Sequence, residues 1–168
     1  MRLFALRSVI ALLVTVVFAL PAHAQRRRMS GGRAVAAERP QIGAHVGYNF
    51  DASQALIGAQ ASFPIVPQID LYPSFDFYTV SGGSLWALNF DARFRPRIAS
   101  PYATFYVGSG LNLSHASAGG FSNTDTNVNL FGGLAGRRGQ MRPFGEARVI
   151  LGNGSSFQIQ GGVAFVLH

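Results

Sequence analysis

The amino-acid sequence predicts an all-β protein, an eight-stranded antiparallel up-and-down transmembrane β-barrel. From residue 41 onward, apolar and polar residues alternate in segment after segment, with clusters of Gly, Pro, Asn, Asp and Ser between them. Residues 41–168 divide into eight such segments, each long enough for a tilted strand that crosses a bilayer in about 9 to 11 residues. Charged residues make up 12% of the chain, whereas about 25% is usual in soluble domains.

The first 24 residues have the features of a signal peptide. Arg2 and Arg7 precede the run from Val9 to Leu20, which only Thr15 interrupts and which is too short for a transmembrane helix of about 20 residues. Ala22-His23-Ala24 then supplies the small-x-small pattern that signal peptidase reads. We therefore predict cleavage after Ala24 and a location outside the bacterial cytoplasm.

Residues 25–40 form an Arg-rich segment that we predict to be a disordered linker. It contains five Arg residues and Glu38 but no apolar periodicity that could support a core. Either it is a solvated linker, or it is an arm that contacts anionic lipid headgroups or another polyanion. Most of the chain's formal charge of +7 lies in residues 1–40, and residues 41–168 carry only +1. The net positive charge of the chain therefore does not indicate a nucleic-acid-binding domain.

The predicted strands lie near 41–50, 55–63, 68–78, 84–95, 101–113, 126–136, 142–151 and 155–167. The fourth has the clearest alternation: its apolar face carries Trp86, Leu88, Phe90, Ala92 and Phe94, and its polar face carries Asn89, Asp91, Arg93 and Arg95. We predict short outer loops at 51–54, 81–84 and 152–154, a longer outer loop at 114–125, and inner turns at 64–67 and 96–100.

Two hairpins give testable registers. A two-residue turn at Gly82-Gly83 places Phe77 opposite Leu88, Phe75 opposite Phe90 and Asp70 opposite Arg95. Around Asn153, a two-residue turn would put Arg148 on the apolar face, so we predict a three-residue loop, 152–154. That loop pairs Val149 with Phe157 and Arg148 with Gln158.

Alternation alone allows an apolar-out membrane barrel or an apolar-in, soluble lipocalin-like carrier. Residues 41–168 contain seven Arg and six acidic residues, which is too few charged side chains to cover the surface of a soluble protein. We therefore favour the apolar-out barrel. With the N-terminus on the periplasmic side, aromatic residues form two interfacial girdles. The outer girdle contains Tyr48, Phe50, Phe77, Trp86 and Phe157, and the inner one contains Phe63, Phe94 and Phe165.

Residues 41–168 resemble the small eight-stranded bacterial outer-membrane barrels of the outer membrane protein A and X type. The resemblance lies in Pro101-Tyr102 followed by Gly108-Ser109-Gly110-Leu111, in the stretch 142–148, and in the last strand. That strand resembles the family's assembly signal, with Gln160, Gly162, Phe165 and Leu167, although it ends on His168 where the family has an aromatic residue. The resemblance implies a monomer in the cell outer membrane, with outer-membrane lipids and the barrel assembly machinery as partners and no nucleic acid.

The polar face contains the charged residues that we predict to form an interior ion-pair network. An eight-stranded barrel is just wide enough for side chains to fill it, so we expect a closed interior and no open pore. The residues of this predicted network are Asp70, Asp76, Asp91, Arg93, Arg95, Glu146 and Arg148.

We predict a structural, adhesive or envelope-maintaining role through the outer loops, without enzymatic activity or a cofactor. The chain has no Cys, and its four His residues show no metal-ligand spacing. The alternative is a lipid A-modifying enzyme, because His115 and Ser117 resemble the His-x-Ser pair of barrel deacylases, in which Ser is the nucleophile and His the base. The orienting carboxylate would be Asp125 or Glu146, while Ala118 replaces the Asn that follows in that family.

Overall fold

The computed structural model describes residues 39–96 and 102–167, which form a closed barrel of eight antiparallel strands. The strands are β1 (Gln41–Asn49), β2 (Gln54–Val66), β3 (Ile69–Tyr78), β4 (Gly83–Phe94), β5 (Ala103–Ala118), β6 (Phe121–Gly136), β7 (Met141–Leu151) and β8 (Ser155–Val166). Each strand pairs with the next, and β8 pairs with β1 to close the barrel. The predicted fold class is confirmed. The predicted signal peptide and most of the predicted linker lie outside the described residues.

The two ends of the barrel differ. The inner end holds the start of β1, the end of β8 and the connections β2–β3, β4–β5 and β6–β7, and the outer end holds the other four turns. In membrane barrels the shorter connections face the periplasm and the longer projections face outward. Within the described residues, no helix is long and apolar enough to cross a membrane.

Buried and exposed side chains alternate along each strand, but here the polar side chains are the buried ones, unlike in a soluble protein. Polar side chains point inward and are buried, while large apolar side chains such as Ile57 (60% exposed) and Phe90 (57% exposed) cover the outside. Apolar surface is stable only where it is removed from water, so this wall needs a lipid environment. The apolar-out prediction is therefore confirmed, and the lipocalin-like carrier is excluded because its apolar face would line the interior.

The register between β3 and β4 differs from the prediction by two residues. Phe77 pairs with Trp86, Phe75 with Leu88, and Asp70 with Arg93. The turn is centred on Ser81 and Gly82, where Gly82 has a φ of 79°. The predicted turn was one residue too late. A shift of two preserves the faces, so the predicted inward and outward assignments still hold.

The register between β7 and β8 is confirmed. Val149 pairs with Phe157, and Arg148 pairs with Gln158. Arg148 is fully buried inside, whereas Phe157 is exposed on the wall. The three-residue loop at 152–154 thus keeps the charged side chain away from lipid.

The prediction of a loop at 114–125 is wrong. β5 continues to Ala118 and β6 begins at Phe121, and Gly119 and Gly120 make the turn with φ values of 56° and 85°. Glycine adopts this left-handed region without the steric cost of a side chain. The hydrophobic alternation stops here because both faces of the hairpin are polar, yet the backbone ladder continues.

The prediction of an inner turn at 64–67 is also displaced. β2 extends to Val66, with an irregular register between Pro64 and Val66, and the connection to β3 contains only residues 67 and 68. Proline is compatible with a strand at such a bulge, where no ladder hydrogen bond is needed from its nitrogen. The predicted turn at 96–100 lies largely outside the described residues.

Trp86, the only tryptophan of the chain, provides a test of the face assignment. It lies on the outer face of β4 and stacks on His115 at 5.2 Å between ring centroids. In vesicles, we expect lipids brominated near the headgroup end of their chains to quench its fluorescence, and aqueous acrylamide to quench it less than in the unfolded chain. Strong acrylamide quenching without lipid quenching would contradict an outward-facing Trp86.

Candidate functional site: the closed interior and the outer hairpin

The seven residues of the predicted network all lie buried inside the barrel. They form three connected groups along the barrel axis, at the centre, toward the inner end and toward the outer end. The described residues contain no cluster of three or more His, Asp or Glu side chains that could hold a metal ion.

Arg148 of β7 is the centre of the first group. One of its terminal nitrogens lies 3.0 Å from Asp91 Oδ2 on β4 and 3.0 Å from Glu146 Oε1 on β7. Its guanidinium also lies over the ring of Phe131, 4.9 Å from the ring centroid. This one cation thus joins strands on opposite sides of the lumen and neutralises part of the charge of two buried carboxylates.

Glu146 extends the central group. Its Oε2 accepts a hydrogen bond from the Tyr106 hydroxyl at 3.1 Å, and its Oε1 accepts one from the Gln160 amide at 2.8 Å. Gln158 donates in turn to Gln160 at 2.8 Å. Buried carboxylates are stable only when such partners replace water, and here β5, β7 and β8 all contribute.

Toward the inner end, Asp70 binds two arginines. Arg93 lies 2.8 Å from Asp70 Oδ2, and Arg95 lies 2.5 Å from Asp70 Oδ1. Arg93 is also placed between two rings, 4.3 Å from the centroid of Tyr72 and 5.0 Å from that of Tyr106. Stacked guanidinium groups gain cation–π attraction in addition to the ion pair.

Toward the outer end, Asp76 is the acceptor for two side chains. His45 Nε2 lies 2.7 Å from Asp76 Oδ1, and Asn89 donates to Asp76 Oδ2 at 2.9 Å. The other ring nitrogen of His45 contacts Gln60. Asn89 continues the chain of hydrogen bonds, because its amide oxygen accepts from Asn112 and from Asn129, each at 2.8 Å.

Several interior residues escaped the sequence-based prediction of the network. Tyr72, Phe131 and the four asparagines at 89, 112, 127 and 129 fill the lumen beside the charged residues. Their inward position could have been found from the alternation of a strand, in which every second residue points to the same face. Tyr72 is two residues from Asp70, and Phe131 is two residues from Asn129. A cavity of only about 10 Å³ remains at the inner end, room for about one water molecule. The arrangement leaves no wide aqueous passage.

The outer hairpin is formed by the ends of β5 and β6. Residues 114–118 pair with 121–125, and on the other side β4 pairs with β5 up to Ala118. In contrast, the described pairing of β6 with β7 begins only at Val128. The backbone of residues 121–127 therefore presents a strand edge that β7 does not cover, with Phe121 (84% exposed) at its tip.

The residues of the alternative catalytic hypothesis lie in this hairpin. His115 and Ser117 share the outward face of β5, where His115 Nδ1 lies 2.8 Å from Thr124 Oγ1. Asp125 pairs with Ser114 on the opposite face and accepts a hydrogen bond from Asn123. Glu146 is buried in the lumen with Arg148. Neither proposed carboxylate is thus hydrogen-bonded to His115 in the described part of the chain.

The four residues of the resemblance to an assembly signal lie at the end of the chain. Gln160 and Gly162 face the interior, whereas Phe165 and Leu167 are exposed on the wall. β8 forms the closing seam with β1, where Gly162 pairs with His45. The last strand therefore forms one side of the seam that closes the barrel.

No protein-family profile and no curated protein sequence matches the chain significantly. Solved structures do resemble it, among them the N-terminal β-barrel domain of Pseudomonas aeruginosa OprF (TM-score 0.65, 19% identity, 78% of this chain and 98% of that one). Another is Ail, the attachment invasion locus protein of Yersinia pestis (TM-score 0.54, 14% identity, coverage 76% and 95%). A third is the outer membrane enzyme PagL (TM-score 0.53, 10% identity, coverage 76% and 99%).

These similarities agree with the resemblance found in the sequence. The chain has the fold of the small eight-stranded outer-membrane barrels, and both this fold and the apolar wall support the predicted outer-membrane location. The same fold carries proteins of different activities, so the activity must be argued from the sites.

Proposed function

We propose that this protein is a non-enzymatic outer-membrane barrel that contacts molecules outside the cell through its β5–β6 hairpin. The barrel serves as the anchor, and the hairpin is the part that meets the partner. This corresponds to the adhesive form of the role predicted from the sequence.

The observation that carries the proposal is the open edge of β6. Backbone N–H and C=O groups along residues 121–127 have no partner strand from β7. An exposed edge can accept an extended peptide as an additional strand, with main-chain hydrogen bonds supplying affinity. Ser122, Asn123 and Thr124 are exposed there, so the edge is polar and compatible with water outside the membrane.

The filled interior of the barrel supports the role of a membrane anchor and argues against transport of solutes through the lumen. Its arginines and carboxylates bind each other across the lumen, and the large side chains Tyr72 and Tyr106 are fully buried among them. Porins that conduct solutes have about 16 strands, while eight-stranded barrels are filled by side chains. One structural neighbour, Ail, carries attachment in its name.

A deletion that preserves the register tests the hairpin directly. Ser114 pairs with Asp125, so removing residues 115–118 and 121–124 leaves these two joined by Gly119-Gly120. Cells of a non-adherent strain that display the full-length protein should be retained on immobilised extracellular-matrix proteins or on epithelial monolayers. Cells that display the shortened protein should fall to the level of the empty strain.

The matched control is Phe121→Ser, which keeps the full backbone edge and removes only the exposed apolar tip. Its retention should stay close to that of the unaltered protein if backbone pairing is the main contact. Heat-modifiable gel migration verifies that each variant is folded. Equal retention of the full-length and shortened proteins, or none above the empty strain for either, contradicts the proposal.

The alternative function is lipid modification by His115 and Ser117. It is favoured by one observation, namely that both side chains lie on the outward face of β5 near the outer end of the barrel, where His115 stacks on Trp86. PagL is an outer membrane enzyme with a similar fold. Expressing the protein and its Ser117→Ala variant and comparing lipid A acylation by mass spectrometry separates the two functions. We expect identical lipid A; loss of an acyl chain that depends on Ser117 supports the alternative.

A further inference from the structure

The open edge of β6 has the outline of a missing strand. β7 ends at Leu151, opposite Val128 of β6, and the chain then turns back into β8. A Cβ atom on Gly152 of that turn would overlap the Asn127 side chain, so the turn packs directly against Asn127. In the described part of the chain, no strand pairs with residues 121–126 on the side where β7 would continue. This edge is as long as a typical strand of about five or six residues.

The side chains of this edge alternate between two faces. Ser122, Thr124 and Thr126 lie on the face that continues the outer wall. Asn123 and Asp125 lie on the face that continues the lumen. On an added antiparallel strand, the residue directly opposite has its Cβ about 4.5 to 5.5 Å from that of its neighbour. Each side chain of a docked strand therefore meets one defined side chain of β6.

Asp125 is the charged residue of the edge. Its Oδ2 accepts a hydrogen bond from the Asn123 amide at 2.6 Å, and the side chain is partly exposed. No arginine or histidine of the described residues forms an ion pair with it. Across an antiparallel pair of strands, opposite charges stabilise the pairing and like charges destabilise it. A docked strand therefore gains from a basic side chain opposite Asp125.

The surroundings of the edge are also acidic. Among the described residues, the outer turns and the hairpin carry Asp51 and Asp125 but no arginine, and the whole chain contains no lysine. His115 lies on the other face of the hairpin, stacked on Trp86. A surface with charge of one sign attracts partners of the opposite sign and repels those of the same sign. This end of the barrel therefore disfavours anionic partners.

We propose that residues 121–126 bind an extended polypeptide segment that carries a lysine or arginine opposite Asp125. The proposal rests on the proposed function of the hairpin and specifies the partner as a basic peptide strand. The backbone of β6 supplies main-chain hydrogen bonds that any extended peptide can share, and Asp125 adds selection by charge.

Two end-blocked hexapeptides serve as probes, Thr-Lys-Thr-Gln-Thr-Ser and Thr-Glu-Thr-Gln-Thr-Ser. Antiparallel docking on residues 121–126 places the second residue of each peptide opposite Asp125. NMR titration of the folded protein in micelles of a nonionic detergent follows the backbone amides of this edge. We expect both peptides to shift these amides, with a dissociation constant about fivefold lower for the lysine peptide, because one opposite-charge pair replaces one like-charge pair.

Two variants separate the local pair from general attraction between charges. Asp125→Asn keeps the size of the side chain and removes its charge, so the two peptides should bind with nearly equal affinity. Asp51→Asn is the matched control, because it removes the other carboxylate of the outer end without altering β6. Asp51 Oδ2 accepts from the Phe157 amide at 2.6 Å, a contact that the asparagine oxygen can keep. The lysine peptide should remain preferred in this control.

The possible results distinguish failure of this proposal from failure of the proposed function. Equal affinities for the unaltered protein, tighter binding of the glutamate peptide, a preference that Asp125→Asn retains, or one that Asp51→Asn abolishes would each overturn selection by Asp125. In those cases, shifts of the amides of residues 121–126 would still support docking at the edge. Absence of shifts there with either peptide would contradict both the basic partner and the edge as the docking site.

Discussion

Replacing Arg148 with Met should lower the free energy of unfolding by about 3 to 5 kcal/mol, the usual cost of leaving a buried charge without its partner. Arg148 is fully buried and binds both Asp91 and Glu146 at 3.0 Å. Methionine matches much of the length of arginine, so the loss of stability comes mainly from the missing charge. Asp91 and Glu146 share the Arg148 cation, and the substitution leaves both carboxylates without it. The contact with the Phe131 ring is lost as well.

Urea unfolding of the vesicle-inserted protein, followed through the fluorescence of Trp86, measures this effect. Adding Asp91→Asn and Glu146→Gln to the Arg148→Met variant removes the uncompensated charges and should recover a large part of the stability. Arg138→Met, at an exposed turn, is the matched single control and should change the free energy of unfolding little. A loss below about 1 kcal/mol for Arg148→Met, typical of exposed ion pairs, contradicts the central role of this cluster.

Replacing Gly162 with Ala should destabilise the barrel by about 1 to 3 kcal/mol, the range for overpacking a tight interior. A Cβ atom at this position would lie 2.1 Å from the Ala44 carbonyl oxygen and 2.7 Å from the His45 Cα. Both are backbone atoms of β1, so relief requires the closing seam between β1 and β8 to move. Gly162 also belongs to the segment that resembles an assembly signal.

Gly161 provides a matched control on the same strand. A Cβ there would meet only the Phe144 carbonyl oxygen at 3.5 Å, an ordinary contact distance. Gly161→Ala should therefore be neutral or stabilise by about 0.4 to 1 kcal/mol through a less flexible unfolded chain. The comparison uses urea midpoints and the yield of the heat-modifiable form, and equal behaviour of the two variants would show that the seam is not tightly packed.

Much of the fold was predictable because membrane strands must alternate strictly. In β4 every second residue from Trp86 to Phe94 is apolar, and each of these side chains faces outward as predicted. The loop at 114–125 was mispredicted because strand pairing continues beyond the lipid, where alternation of hydrophobicity is no longer required. The β3–β4 register depended on which residues make the turn, and Ser81-Gly82 and Gly82-Gly83 both suit a tight hairpin.

The composition of the interior was also predictable, while its contacts were not. The two-residue alternation of the strands alone places Asp70, Asp91 and Arg148 on the inward face. The partner of Arg148, however, is Asp91 on β4, three strands away around the barrel. Contacts across a lumen depend on barrel closure and stagger, which no local pattern in the sequence reports. The stacking of Arg93 between Tyr72 and Tyr106 has the same origin.

The lumen of this lipid-embedded barrel is filled by the barrel's own interior side chains, so we expect no open channel through it. Single-channel recording of the purified, heat-modifiable protein in planar bilayers tests it most directly. The structure predicts no stable conductance steps, because Arg93, Arg148 and their carboxylate and aromatic partners fill the lumen. Long-lived, reproducible open-channel steps from the unaltered protein would contradict this account.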